Sequence, residues 1–275
     1  MKEKHLNRSG RLDGCAPLLL LLVLPELPAC GAEIASNEAQ AKAEPGLPLS
    51  VAPLTVSVAP GYVVDCMGTL VHPRWVLSAA HCFSNTAENT WVTVLDFGAS
   101  VHVKDIIIHP EAVALGPTPA GAYSSSDIVA AHDLALVPLK YPVEAGRVAT
   151  LWRQPGSEGV AIGAGTEVSY GRRALGEEVT ETGIAKGVIP ASQLLAGDQQ
   201  GELLSVSGRL PHGGDSGGGA FLAHAGSGVP ERTGPLVAII QNAPAEGEAG
   251  TFGLVPVWLE SHLTFIDTVA VEPTD

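Results

Sequence analysis

The pentapeptide Gly214-Asp215-Ser216-Gly217-Gly218 constrains this chain more than any other feature. It puts a serine hydroxyl in a glycine-rich turn, where its own backbone N–H and that of Gly214 can aim at one point. A hydroxyl at its ordinary pKa is a poor nucleophile. Such a turn therefore needs a neighbouring base and a place for negative charge to develop.

The base is offered by Ser78-Ala79-Ala80-His81-Cys82, which follows the apolar run Trp75-Val76-Leu77. Between base and serine, His132-Asp133-Leu134-Ala135-Leu136 supplies a carboxylate at the opening of an apolar strand. A further block, Cys66-Met67-Gly68-Thr69-Leu70-Val71, precedes the histidine segment. Together, in the order His, Asp, Ser, these motifs resemble the chymotrypsin/trypsin family of serine peptidases over roughly residues 55–268. The resemblance implies that Ser216 attacks a carbonyl, His81 takes and returns its proton, and Asp133 orients the imidazole. The N–H groups of Gly214 and Ser216 would then form the oxyanion hole. It implies an all-β fold of two six-stranded antiparallel barrels with a C-terminal helix. The barrels would span about 55–145 and 158–256, with the site in the cleft between them.

The residues taken alone also read as β. Short runs recur at 54–59, 68–72, 91–95, 101–108 and 134–139, then at 159–164, 166–170, 187–190, 202–207, 219–223, 235–242 and 251–257. Many are β-branched and bounded by Pro, Gly, Asn or Ser, the signature of an all-β domain. Only Trp258, Leu259, His262, Leu263 and Ile266 repeat at helical spacing, which predicts a helix over 257–269.

Residues 1–30 read as an export signal. Lys2, Lys4, Arg8 and Arg11 make a basic start, 17–24 a short apolar core, and Ala29-Cys30-Gly31-Ala32 a small-residue exit. The core falls short of the about 20 apolar residues that cross a bilayer. Leu27-Pro28-Ala29-Cys30 also resembles a lipobox, so two outcomes stand: lipid on Cys30, or ordinary cleavage near Ala32. Residues 31–54, rich in Ala, Glu and Pro, suit a flexible spacer. With Cys15 and Cys30 in the leader, Cys66 and Cys82 remain for the folded part, and an even pair in an exported chain reads as a disulfide. The alternatives are free thiols or half a metal site with His72 and His81. Those offsets match no standard zinc spacing, so no metal and no cofactor are expected. A net charge of −14 argues against nucleic-acid surfaces and anionic lipid. The partners expected are a protein or peptide substrate and, through Cys30 alone, a membrane. The localisation expected is extracytoplasmic.

Three departures from the family bear on mechanism. No Arg or Lys is followed by an Ile-Val-Gly-Gly-like segment between residues 31 and 62; Lys42 runs into Ala43-Glu44. The new N-terminus that would pair with Asp215 is thus absent, and Arg172 or Arg173 is the expected internal cation. Leu210 stands where trypsin-like members carry an aspartate, and His212 where they carry a cysteine. Ile240-Gln241-Asn242 replaces the Ser-Trp-Gly edge, so Leu210 and Gln241 mark an altered specificity pocket without Arg/Lys preference. His109, His132, His212 and His224 show no partner pattern and read as surface or cleft-edge residues. Gly214-x-Ser216-x-Gly218 also fits a nucleophile elbow. Only His224 and His262 follow it, in a tail too short for that fold. The function expected is a secreted or tethered serine endopeptidase. The alternatives are a binding or scaffolding protein on the same fold that lost a working cleft, and an esterase using the same residues.

Overall fold

A computed structural model describes residues 44–45, 48–59, 62–87, 90–153, 162–174, 177–195, 199–223, 234–244 and 250–271. The proposed signal at 1–30 with Cys30, the spacer up to residue 43, and His224 lie outside them.

The described residues form fourteen strands. The first eight are β1 (Glu44–Pro45), β2 (Val51–Ala59), β3 (Tyr62–His72), β4 (Trp75–Ser78), β5 (Trp91–Val94), β6 (Ala99–His102), β7 (Ile107–Ile108) and β8 (Ala135–Pro138). The rest are β9 (Glu167–Ala174), β10 (Glu177–Pro190), β11 (Glu202–Ser207), β12 (Gly219–Leu222), β13 (Leu236–Pro244) and β14 (Thr251–Pro256). β5 shows why such runs pair: Val92 and Val94 are buried while Trp91 faces water, the period-2 alternation of a strand covered on one face. β2 begins at Val51, and Val51, Ala52 and Leu54 are buried. The body therefore starts upstream of residue 55, and the last residues assigned to the spacer belong to its core.

The second sheet closes on itself. β9, β10, β11, β14, β13 and β12 pair in that order, β12 returns to β9, and β1 adds to the outside of β10. Closure leaves its six strands without a free edge. The first sheet runs β6-β5-β2-β3-β4-β8-β7 and stays open. The expectation of two closed barrels is thus corrected to one barrel and one half-barrel. The cause is local: the run 101–108, read as one strand, breaks into β6, a 3-10 turn at Val103–Asp105 and β7. There Val103 N–H donates to the Thr90 carbonyl and Ile106 N–H to that of Val103, so the chain turns where a single strand would have run on.

The hairpin β9–β10 is longer than expected, replacing the short runs 166–170 and 187–190. Its polar middle hid it, because Gly171-Arg172-Arg173 does not look like a strand. Arg172 is in phase with Val168 and Tyr170 and so points inward with them. Of the expected strand 159–164, residues 162–164 form a loop and 159–161 are outside the described residues.

Leu54, Met67, Leu70, Leu77, Phe83 and Leu136 are central to the first core, and Tyr170, Val206, Phe252 and Leu254 to the second. Each such side chain contributes about 1.5–3 kcal/mol on burial. The C-terminal helix, Glu260–Val269, begins three residues later than its periodicity suggested and buries His262, Phe265 and Ile266 along one face.

Candidate active site

His81 lies in a 3-10 turn, Ala80–Phe83, that follows β4 directly. Ala80, Cys82 and Phe83 are buried, so the turn is anchored on three sides while the imidazole stays a quarter exposed. The Tyr123 hydroxyl, buried nearby, donates to the Ala80 carbonyl at 2.6 Å. Cys66 and Cys82 are disulfide-bonded, which ties the turn to β3.

Asp133 reaches the same place from the strand beside it. It follows a 3-10 turn, Ala130–His132, and precedes β8, which pairs with β4. Its backbone (φ −69°, ψ 64°) and the 2.6 Å bond from Leu134 N–H to the His132 carbonyl form an inverse γ-turn. That turn swings the carboxylate, fully buried, under the imidazole. Asp133 Oδ1 accepts from the His81 backbone N–H at 2.8 Å, and Oδ2 lies 2.6 Å from His81 Nδ1. Burial disfavours the imidazolium, but the charge and hydrogen bond of Asp133 together outweigh it, so the His81 pKa is raised above 6.5. The proton is thereby held on Nδ1, and Nε2 is left as the basic atom.

Ser216 is buried in the turn between β11 and β12. Its carbonyl accepts from Met67 N–H at 2.8 Å, joining the turn to β3. Gly217, at φ +84°, makes that approach feasible. A Cβ there would collide with the Met67 carbonyl and with Ser78 Oγ, on the segment leading to His81. The N–H groups of Asp215, Gly217 and Gly218 donate to the carbonyls of His212, Ile240 and Asp215. Among the described residues, no carbonyl accepts from the N–H of Gly214 or Ser216. Gly214 has φ +100°, a conformation that glycine adopts at little cost.

Asp215 is fully buried and its charge is matched inside the fold. Arg172 Nε donates to Oδ2 at 3.1 Å, His212 N–H to Oδ2 at 2.7 Å, and Arg173 N–H to Oδ1 at 2.6 Å. Arg172 is the side-chain cation; Arg173 contributes its backbone, while its guanidinium lies 3.9 Å from Asp65. Glu181, which sequence reasoning missed, accepts from Arg172 Nη1 at 3.4 Å and from Arg209 Nη1 at 3.3 Å. Its place opposite Tyr170 on β10 becomes legible only once the hairpin register is known.

Leu210 and Gln241, the residues expected to mark the specificity pocket, are both half-buried. Leu210 packs on the second core, and Gln241 Oε1 is buried with no hydrogen-bond partner among the described residues. The Asn242 side chain is outside the described residues. His212 is exposed, as expected. His109 is not: it is buried, and it packs with the half-buried His132 and the buried His262. Burial, together with neighbouring rings, lowers the pKa of His109 and of His262 to about 4.

The model of the Trypsin family matches residues 47–251 of this chain. Human granzyme M is 34% identical over 109 residues, a stretch covering 38% of this chain and 37% of granzyme M. The chain thus aligns with little more than a third of that relative. Among solved structures, the active form of the Rv3671c protease from M. tuberculosis superposes with a TM-score of 0.51 at 16% identity, covering 83% of this chain and 85% of its own. Human heparin binding protein does so with a TM-score of 0.51 at 14% identity, covering 82% and 95%. At these identities the two structures speak for the fold. With the family match spanning most of the chain, and strands, disulfide and His-Asp pair arranged as described, the chain belongs to the trypsin family of serine peptidases.

Proposed function

We propose that this chain is a secreted or surface-tethered serine endopeptidase acting through His81, Asp133 and Ser216. The observation that carries the reading is the two-point hold of Asp133 on His81, through the backbone N–H and through Nδ1. It leaves one imidazole nitrogen free to act as base. In the first step Ser216 Oγ attacks the scissile carbonyl carbon as His81 Nε2 takes the hydroxyl proton. The tetrahedral oxyanion is received by the N–H groups of Gly214 and Ser216. As the C–N bond breaks, His81 returns the proton to the leaving amine, giving an acyl-enzyme. Water, activated by the same nitrogen, then hydrolyses the ester. One oxyanion donor is typically worth about 3 kcal/mol of barrier.

The disulfide is consistent with an oxidising compartment. Leu210 and Gln241 support a preference for side chains other than Arg or Lys, since neither brings a negative charge to the pocket. A binding role has a precedent in the protein named for heparin, which shares the fold. The charge of −14 makes a polyanionic ligand unfavourable here. The test is labelling with a fluorophosphonate followed by peptide mapping. Modification at Ser216, absent in the Ser216→Ala variant, is expected; an unlabelled, folded protein would overturn the proposal.

A further inference from the structure

His109, His132 and His262 are far apart in sequence, yet the fold gathers their rings on one side of Asp133. His109 follows β7 and is held by its N–H, which donates to the Leu134 carbonyl at 2.9 Å. His132 closes the 3-10 turn before Asp133, and His262 lies in the first turn of the C-terminal helix. The rings of His109 and His132 stack at 5.4 Å, and His262 meets both edge-on at 5.2 Å. One ligand nitrogen from each lies within 4.8 Å of the others, and His132 Nδ1 is 3.0 Å from His262 Nε2.

We propose that His109, His132 and His262 bind one divalent transition-metal ion of the zinc class, with the Glu111 carboxylate as fourth ligand. The donor set selects the metal: imidazoles with a single carboxylate suit zinc, cobalt, nickel or copper, whereas calcium and magnesium require mostly oxygen. The spacing is close to what is needed. Nitrogens bound to a tetrahedral zinc at about 2.0–2.1 Å lie about 3.4 Å apart; His132 Nδ1 and His262 Nε2 are already 3.0 Å apart, and all three nitrogens lie within 4.8 Å of one another. Glu111 Oε2 is already 3.7 Å from His132 Nδ1 on an exposed side chain.

The outer hydrogen bonds also fit. His262 Nδ1–H donates to the Pro256 carbonyl at 2.5 Å, leaving the Nε2 lone pair toward His132. Metal-ligating histidines are commonly fixed in this way. His109 is hydrogen-bonded to the Ser261 backbone on the helix. At its Nδ1 an ion would displace a 3.2 Å bond from the Glu111 N–H, which water can satisfy at an exposed residue. A groove of about 690 Å³ borders the cluster at His109 and carries the carboxylates of Glu111 and Glu260. The bound ion would pin the C-terminal helix to the loop carrying Asp133. The competing arrangement has no metal: His132 Nδ1–H would simply donate to His262 Nε2.

The test uses the full chain, stripped with a chelator, and does not depend on peptidase activity. Zinc binding is measured by isothermal titration, cobalt by visible absorption, and thermal stability with each metal and with calcium. One zinc per chain, ligand-field bands of four- or five-coordinate cobalt, and a Tm raised by zinc but not by calcium are expected. His132→Asn removes a ligand, so it should weaken zinc by more than the roughly 10–100-fold typical of an outer-shell change and remove the Tm shift, and Glu111→Gln should weaken it less. His212→Asn, outside the cluster, should keep the site. Failure of the wild-type chain to take up one equivalent at micromolar zinc would overturn the proposal, as would unchanged affinity in His132→Asn and His262→Asn. If those variants do not fold, the wild-type cobalt spectrum decides, and featureless absorption rejects the site.

Discussion

Arg172 Nε lies 3.1 Å from Asp215 Oδ2, and neither side chain reaches solvent. The carboxylate beside Ser216 therefore has a buried cationic partner on β9. If that pairing sets the nucleophile turn, activity should not depend on cleavage upstream.

Arg172→Met should cut turnover sharply and also destabilise the fold by about 3–5 kcal/mol, because it strands a buried charge. Combining it with Asp215→Asn should recover much of that stability, since the remaining buried carboxylate, Glu181, keeps its partner Arg209. A denaturant titration of the two single variants and the double checks this coupling. Protein lacking residues 31–43 should label with fluorophosphonate as well as the longer chain. A many-fold change on trimming would mean that an N-terminal segment, not Arg172, sets the turn.

The triad should behave as one unit. Ser216→Ala and His81→Ala are each expected to abolish nearly all turnover, with little further loss when combined. Single-turnover assays on a fluorogenic peptide ester measure this. Additive losses would show that the two residues act separately.

His81 must be neutral to accept the Ser216 proton, and its pKa lies above 6.5. Activity should thus fall as pH drops through a midpoint above that value. In Asp133→Asn the influences that raise the pKa are gone while burial remains, so the acid limb of the residual activity should move to lower pH. By linkage, the His81–Asp133 pair stabilises the fold fully below about pH 6.5 and less as pH rises through the raised value. A kcat/KM profile of both proteins checks the direction. An acid limb at or below 6.5 in the wild type would contradict it.

The disulfide closes a short loop, with Cys66 and Cys82 separated by 16 positions. Replacing both cysteines with alanine should cost about 3 kcal/mol in the chain-entropy account. Mass spectrometry without reduction should find the linked peptides in protein recovered from the periplasm or medium. Urea midpoints of the two forms measure the loss.

Local information was enough for the pairing of His81 with Asp133, the disulfide pair and the β character of the chain. Gly214-Asp215-Ser216-Gly217-Gly218, the histidine block and the carboxylate before an apolar strand each carry their meaning within a few residues. Period-2 burial likewise shows in runs such as Trp91–Val94. What depended on pairing between distant segments was not legible. Arg172 and Arg173 were equivalent in sequence, and only the inward phase of β9 made one the buried cation and the other a backbone donor. The break between β6 and β7 lies at the three-residue 3-10 turn Val103–Asp105, whose hydrogen bonds run to Thr90 and within the turn. Gly217 read as one more turn glycine until Met67 and Ser78 were found against it. His109 and His132 read as isolated residues, and His262 as one position on a helical face, because a buried cluster leaves no trace in spacing when its members come from a strand exit, a loop and a helix. Tertiary structure decided these points, since register and helix docking choose which distant side chains share one volume.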